Sequence, residues 1–161
     1  MDFYADSPAR VRATSIPQID PPPDAEREDP PLPINASDHG SDTGETETHK
    51  AWDRQHPTIR IDDEQDIISD RGSEVYSFLQ HRGIEHLLIM GVHTNMCVLH
   101  RTFAIKQMVR WGVDVALIRD LTDAMYNPAM PPYVSHTEGT ELVVGFIEKF
   151  WCPSLESGDL L

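Results

Sequence analysis

One cysteine of this chain stands where a thiol can do chemistry. In LLIMGVHTNMCVL, residues 87–99, Leu87 to Met90 form a continuous apolar run that reads as a buried strand, and Gly91 permits a sharp turn. The apolar spacing then becomes helical from Asn95 and continues to Trp111. Cys97 therefore falls in the first turn of a helix, just past the carboxyl end of a strand, with Asn95 as the N-cap. Free backbone N–H groups and the positive end of a helix dipole favour a thiolate at such a place. Free cysteine is also among the most buried residue types, so spacing alone supports a packing role equally well. The second thiol, Cys152, lies beside Pro153 near the chain end, where a surface position is the default.

The elements that must position Cys97 follow from the pattern around it. Residues 58–61, TIRI, form a short β-branched strand candidate opened by Pro57, and residues 62–70 are acidic and loop-like. Residues 72–82 carry a helical apolar face of Val75, Phe78 and Leu79, closed by Gly83. The strand 86–90 and the helix 95–111 come next, the latter ended by Gly112, and 113–118 is another apolar strand. Ser135 and Glu138 have capping-box spacing, and Leu142, Val143, Phe146, Ile147 and Phe150 give the last helix its apolar face. Alternating strands and helices with short connections predict βαβ units around a parallel sheet. Sites in such sheets lie at the carboxyl ends of the strands. Residues 119–127, RDLTDAMYN, are thus expected beside Cys97, with Asp120 and Asp123 available to position a substrate or to cap the following turn. Tyr126 opens the segment YNPAMPP, which reads as a rigid loop able to close over a pocket. His93 is the best polar candidate at the turn itself, and His100 and His136 are further histidines within reach of it.

Composition limits the function classes. The chain has 161 residues and a formal net charge of −14, shared by its two parts: residues 1–56 hold 12 acidic and 5 basic residues, and residues 57–161 hold 15 and 8. No basic patch remains to grip phosphates, which argues against a nucleic-acid partner. No apolar run approaches the roughly 20 residues of a membrane span, and no basic-then-apolar leader opens the chain. A cytoplasmic protein without a membrane partner is expected. Two cysteines make neither a disulfide framework nor paired zinc ligands, and the eight histidines show no helical i, i+4 pair, so neither a metal nor another cofactor is expected.

Residues 1–57 contain nine of the 13 prolines and the polar, acidic run 35–48. Such sequence buries too little apolar area to offset its ordering entropy, and it is expected to be irregular or draped over a neighbouring surface. Phe3, Tyr4 and Trp52 are the aromatic residues able to pin its two ends. The α/β domain is then expected over residues 58–153, with 154–161 as a tail.

GVHTNMCV, residues 91–98, followed by a helix, a glycine, a strand and Asp120, resembles the isochorismatase-like cysteine hydrolases, which include nicotinamidases and N-carbamoyl amide hydrolases. The resemblance covers about residues 58–153. It implies a three-layer α/β/α, Rossmann-like fold with a mainly parallel sheet, and a nucleophilic role for Cys97 in cleaving a C–N bond of a small amide through a thioester. It also implies a cis peptide at Val92–His93 and an oxyanion hole made by the backbone N–H groups of His93 and Cys97. His93, Asn95, Asp120 and Tyr126 would line the substrate pocket. The family's aspartate belongs to a first strand that residues 1–57 do not show, and its lysine to the interval 62–70, which contains none; Lys50 lies upstream in polar sequence. Two expectations follow. The chain is a hydrolase lacking the N-terminal strands of its domain, or it is a degenerate domain kept for binding or oligomer assembly. A sheet without those strands would expose an apolar edge, so a homo-oligomer is expected.

Overall fold

The computed structural model describes residues 2–40 and 53–160. A short 3-10 turn (Asp2–Tyr4) precedes helix α1 (Pro8–Ser15), and the next helix in sequence is α2 (Gly72–Arg82). Strand β1 (His86–Val92), the short helices α3 (Cys97–His100) and α4 (Ile105–Arg110), strand β2 (Asp114–Asp123), helix α5 (His136–Phe150) and the two-residue strand β3 (Ser154–Leu155) complete the order. The three strands form one parallel sheet in the order β1-β2-β3. The architecture is therefore mixed α/β.

The core is built where the helix faces meet the central strand. Leu99, Ile105 and Met108 pack with Val115 and Leu117 of β2 and with Val143, Phe146 and Ile147 of α5. Two ends form as the sequence specifies. Gly83 takes the left-handed conformation (φ 62°) and its N–H bonds the carbonyls of Leu79 and Gln80, ending α2. Ser135 and Glu138 make both bonds of the capping box that starts α5.

Elsewhere tertiary contacts override the pattern. Residues 58–61 form no strand: Ile59 sits in a turn closed by its N–H to the His56 carbonyl, and its own carbonyl accepts from the Gln55 side chain, so no ladder is available. The expected helix over 95–111 is broken at residues 101–104. The start of α2 packs into that break, where the Gly72 N–H donates to Thr102 Oγ1, and a Cβ at Gly72 would lie 1.8 Å from the Thr102 carbonyl oxygen. Only glycine allows this approach. The second strand runs five residues past Ile118, so residues 119–123 belong to the sheet. Its register jumps as it does so, from Ile89↔Leu117 to Gly91↔Thr122, leaving extra β2 residues bulged. Leu142 is exposed, unlike its apolar neighbours in α5. Cys152 is buried in the core rather than on the surface.

The N-terminal stretch also contains more structure than composition suggests. Ser7 caps α1 through Arg10 N, Pro8 occupies the first turn, and Ala9 and Ala13 are fully buried. The Arg10 guanidinium spans to Glu74 and to the Ile68 carbonyl on and beside α2. Beyond α1, residues 24–29 lie against α4 and Trp111. Asp24 accepts from Gln107 and from the Trp111 indole, and Asp29 pairs with Lys106. Phe3 lies under Arg54, and Tyr4 accepts from the Gln55 N–H, so the ends of the excursion do meet. Trp52 and Lys50 lie outside the described residues.

β1 departs most from a buried strand. It is an edge strand among the described residues, and its exposure alternates along its length. Leu87 and Ile89 pack on the core, while Leu88, Met90 and Val92 face outward, the last two 60% and 61% exposed. A four-residue apolar run reports hydrophobicity on both faces, but among the described residues only the face of Leu87 and Ile89 packs on the core.

Candidate active site

The turn from β1 into α3 is held at three points by residues 122–125 at the end of β2. Thr94 is fully buried and its N–H donates to the Asp123 carbonyl at 2.9 Å. The Thr122 hydroxyl donates to the Gly91 carbonyl at 2.8 Å and sits 2.7 Å from Thr94 Oγ1, so the Thr94 hydroxyl is the donor between them. Asn95, also buried, uses its side-chain amide as a surrogate strand: Nδ2 donates to the Met125 carbonyl (3.0 Å) and Oδ1 accepts the Met125 N–H (2.8 Å). Asn95 is therefore a clamp between the turn and the end of β2, and Met96 rather than Asn95 occupies the N-cap position.

Within this frame the His93 carbonyl accepts the N–H groups of both Met96 and Val98, on either side of Cys97 in sequence. The Cys97 N–H takes part in neither bond. A cis peptide joins Val92 and His93, as the resemblance implies. Cys97 is a free, half-buried thiol that lines two adjoining cavities. One, of about 390 Å³, is bounded by Asn95, Met96, His100 and Arg101. The other, of about 170 Å³, runs under Met90, Gly91, Val92 and Phe103. Helix α3 is a single four-residue turn, so the dipole behind Cys97 is much shorter than a helix to Trp111 would supply.

His100 lies one turn beyond Cys97 on the same face of α3 and lines the larger cavity with it. Partial burial, and next the positive charge of Lys106, hold its imidazole below the ordinary value. Both effects favour the neutral imidazole. Lys106 itself is a buried lysine, with its ammonium 2.5 Å from Asp29 and over the Trp151 ring. Sequence spacing gave no sign of this pair, because its members are 77 residues apart.

The other expected site residues are placed differently. The His93 side chain is exposed at the turn. Asp120 accepts two hydrogen bonds from Ser157, which together hold its carboxyl below the usual range. It lines a separate cavity of about 620 Å³ between β2 and α5. Tyr126 is not a pocket residue: it is buried, its ring fills the space left by Gly139, and its hydroxyl donates to the Met130 carbonyl. The loop after it contains a cis Pro131–Pro132 bond, and the Asn35 N–H donates to the Pro131 carbonyl. Asp123 does reach the turn, through its backbone carbonyl, while its carboxylate receives His136 and Thr140.

Among the described residues no group of three or more His, Cys, Asp and Glu side chains is arranged to hold a metal. No helix among them is long and apolar enough to cross a membrane. Compared with known protein families, curated proteins and solved structures, the chain matches none.

Proposed function

We propose that this chain is a cysteine hydrolase of the isochorismatase-like type, cleaving a C–N bond of a small amide through a thioester at Cys97. The observation that carries this reading is the placement of Cys97: a half-buried free thiol on a braced turn at the carboxyl end of a strand, opening onto two cavities. In the reaction His100 takes the thiol proton and sulfur adds to the carbonyl carbon. The backbone N–H groups of His93 and Cys97 receive the resulting oxyanion, an interaction typically contributing on the order of 10²–10³ in rate per donor. Collapse breaks the C–N bond, and the His100 imidazolium gives its proton to the departing nitrogen. Water then loses a proton to His100 as it adds to the thioester, and the second collapse releases the acid and the thiol. His100 fills the base role for which the interval 62–70 offers no lysine. The reading extends to a three-layer arrangement and to a reducing, cytoplasmic setting, where a lone thiol stays free.

A second reading is favoured by one observation, the outward row Leu88, Met90 and Val92 on a strand that is at the sheet edge among the described residues. It makes the domain an assembly or binding module that buries this row against another chain. The two readings separate on one experiment. The full chain is incubated with small primary amides and N-carbamoyl compounds, nicotinamide among them, while ammonia release and acyl adducts by intact mass are followed. Release that disappears in Cys97→Ala, with an adduct mapping to Cys97, supports the hydrolase. Release equal in Cys97→Ala, or no release from any member of the panel, removes it and leaves the assembly reading, which a monomer by light scattering would in turn remove.

A further inference from the structure

His136 opens α5 with both ring nitrogens engaged. Nδ1 lies 2.8 Å from the Tyr126 carbonyl oxygen, and Nε2 lies 2.9 Å from Asp123 Oδ1. A carbonyl oxygen only accepts, and Asp123 Oδ1 already accepts the Thr140 hydroxyl at 3.0 Å. Both contacts are hydrogen bonds only when both ring nitrogens carry protons, that is, when the ring is an imidazolium. A neutral ring would set one lone pair against an oxygen.

The two acceptors belong to the segment that braces the Cys97 turn. The Asp123 carbonyl holds the Thr94 N–H, and Met125, between Asp123 and Tyr126, is the residue clamped by Asn95. We infer that the His136 imidazolium is a pH-sensitive staple that fixes the end of β2 to α5 and, through it, the turn carrying Cys97, and that loss of its proton loosens that turn. The inference stands on these contacts and does not require the hydrolase reading.

The charges around the ring agree. Asp123 on β2 is the charged group acting on it, and on its own helix the Glu138 carboxylate is turned back to Ser135. The Tyr126 carbonyl and next the Asp123 carboxylate raise the imidazole above its ordinary value. For a group raised on folding, the stabilisation is fully present below the unfolded value of about 6.5 and is lost as pH rises through the folded one. The staple therefore opens on the alkaline side of neutral histidine behaviour.

The test follows the imidazole by NMR and backbone amide exchange, corrected for intrinsic rates, in the full chain from pH 5 to 9. Protection at the Thr94 and Met125 amides should fall about two- to fivefold across the imidazole titration, the scale of a partly exposed charged pair. In His136→Gln it should be low and free of that step. In Asp123→Asn, which keeps the acceptor oxygen and removes the charge, the step should move to lower pH. Protection that is flat across the titration, an imidazole titrating at or below 6.5, or a midpoint unchanged in Asp123→Asn would each overturn the inference. If His136→Gln fails to fold, the wild-type profile and Asp123→Asn still decide it.

Discussion

The two cysteines of this chain have the same side chain and opposite surroundings. Cys97 rides on a turn at the surface, half-buried and open to two cavities, whereas Cys152 follows α5 into the core. Burial pushes the Cys152 thiol up to about 12, so it is a small apolar group at any physiological pH. The difference teaches that a thiol's chemistry is set by what the backbone around it is tied to. At Cys97 the ties run to neighbouring segments and leave the sulfur free, and at Cys152 they run through the core and enclose it.

Alkylation should show the contrast at its largest. In folded protein near pH 7.5, iodoacetamide should modify Cys97 and leave Cys152 intact, because a rise from 9.0 to about 12 cuts the Cys152 thiolate about a thousandfold. In denaturant the two rates should converge. Equal rates in the folded state would remove the distinction.

Gly72→Ala attacks the first region from a distance. Its Cβ would collide with the Thr102 carbonyl, which sits in the break between α3 and α4, and the expected cost is about 3 kcal/mol in denaturant unfolding. Asn95→Ala removes both bonds to Met125 and should cost about 2 kcal/mol. Its alkylation rate at Cys97 should change while Cys152 stays protected, and a variant as stable as wild type would show that the turn does not need its clamp.

The thiols themselves should separate by their burial, with Cys97 giving the smallest effect. Cys152→Ser buries a hydroxyl in an apolar setting and should cost about 1–3 kcal/mol, whereas Cys97→Ser should stay within about 0.5 kcal/mol of wild type. The reverse order in urea melts would mean that Cys97 is the packing residue.

Local signals in the sequence determined local outcomes. Gly83 ended α2, Ser135 and Glu138 started α5, and the apolar runs at 86–90 and 113–118 became the paired parallel strands, because capping and alternation act within a few residues. The Gly91-to-Val98 pattern likewise marked Cys97 as the thiol on a turn. What only the tertiary structure decided involves partners far apart in sequence. Gly72 against Thr102 cut one expected helix into α3 and α4, and the pairing of Asn95 with Met125 turned an N-cap into a clamp. The bulged register carried β2 on to Asp123, beyond the end its apolar run suggested. Tyr126 went into the core against Gly139, Cys152 was enclosed, and Lys106 met Asp29 across 77 residues. Hydropathy and spacing describe what a residue prefers, but which neighbour satisfies its hydrogen bonds or fills the space beside it is a property of the packed whole.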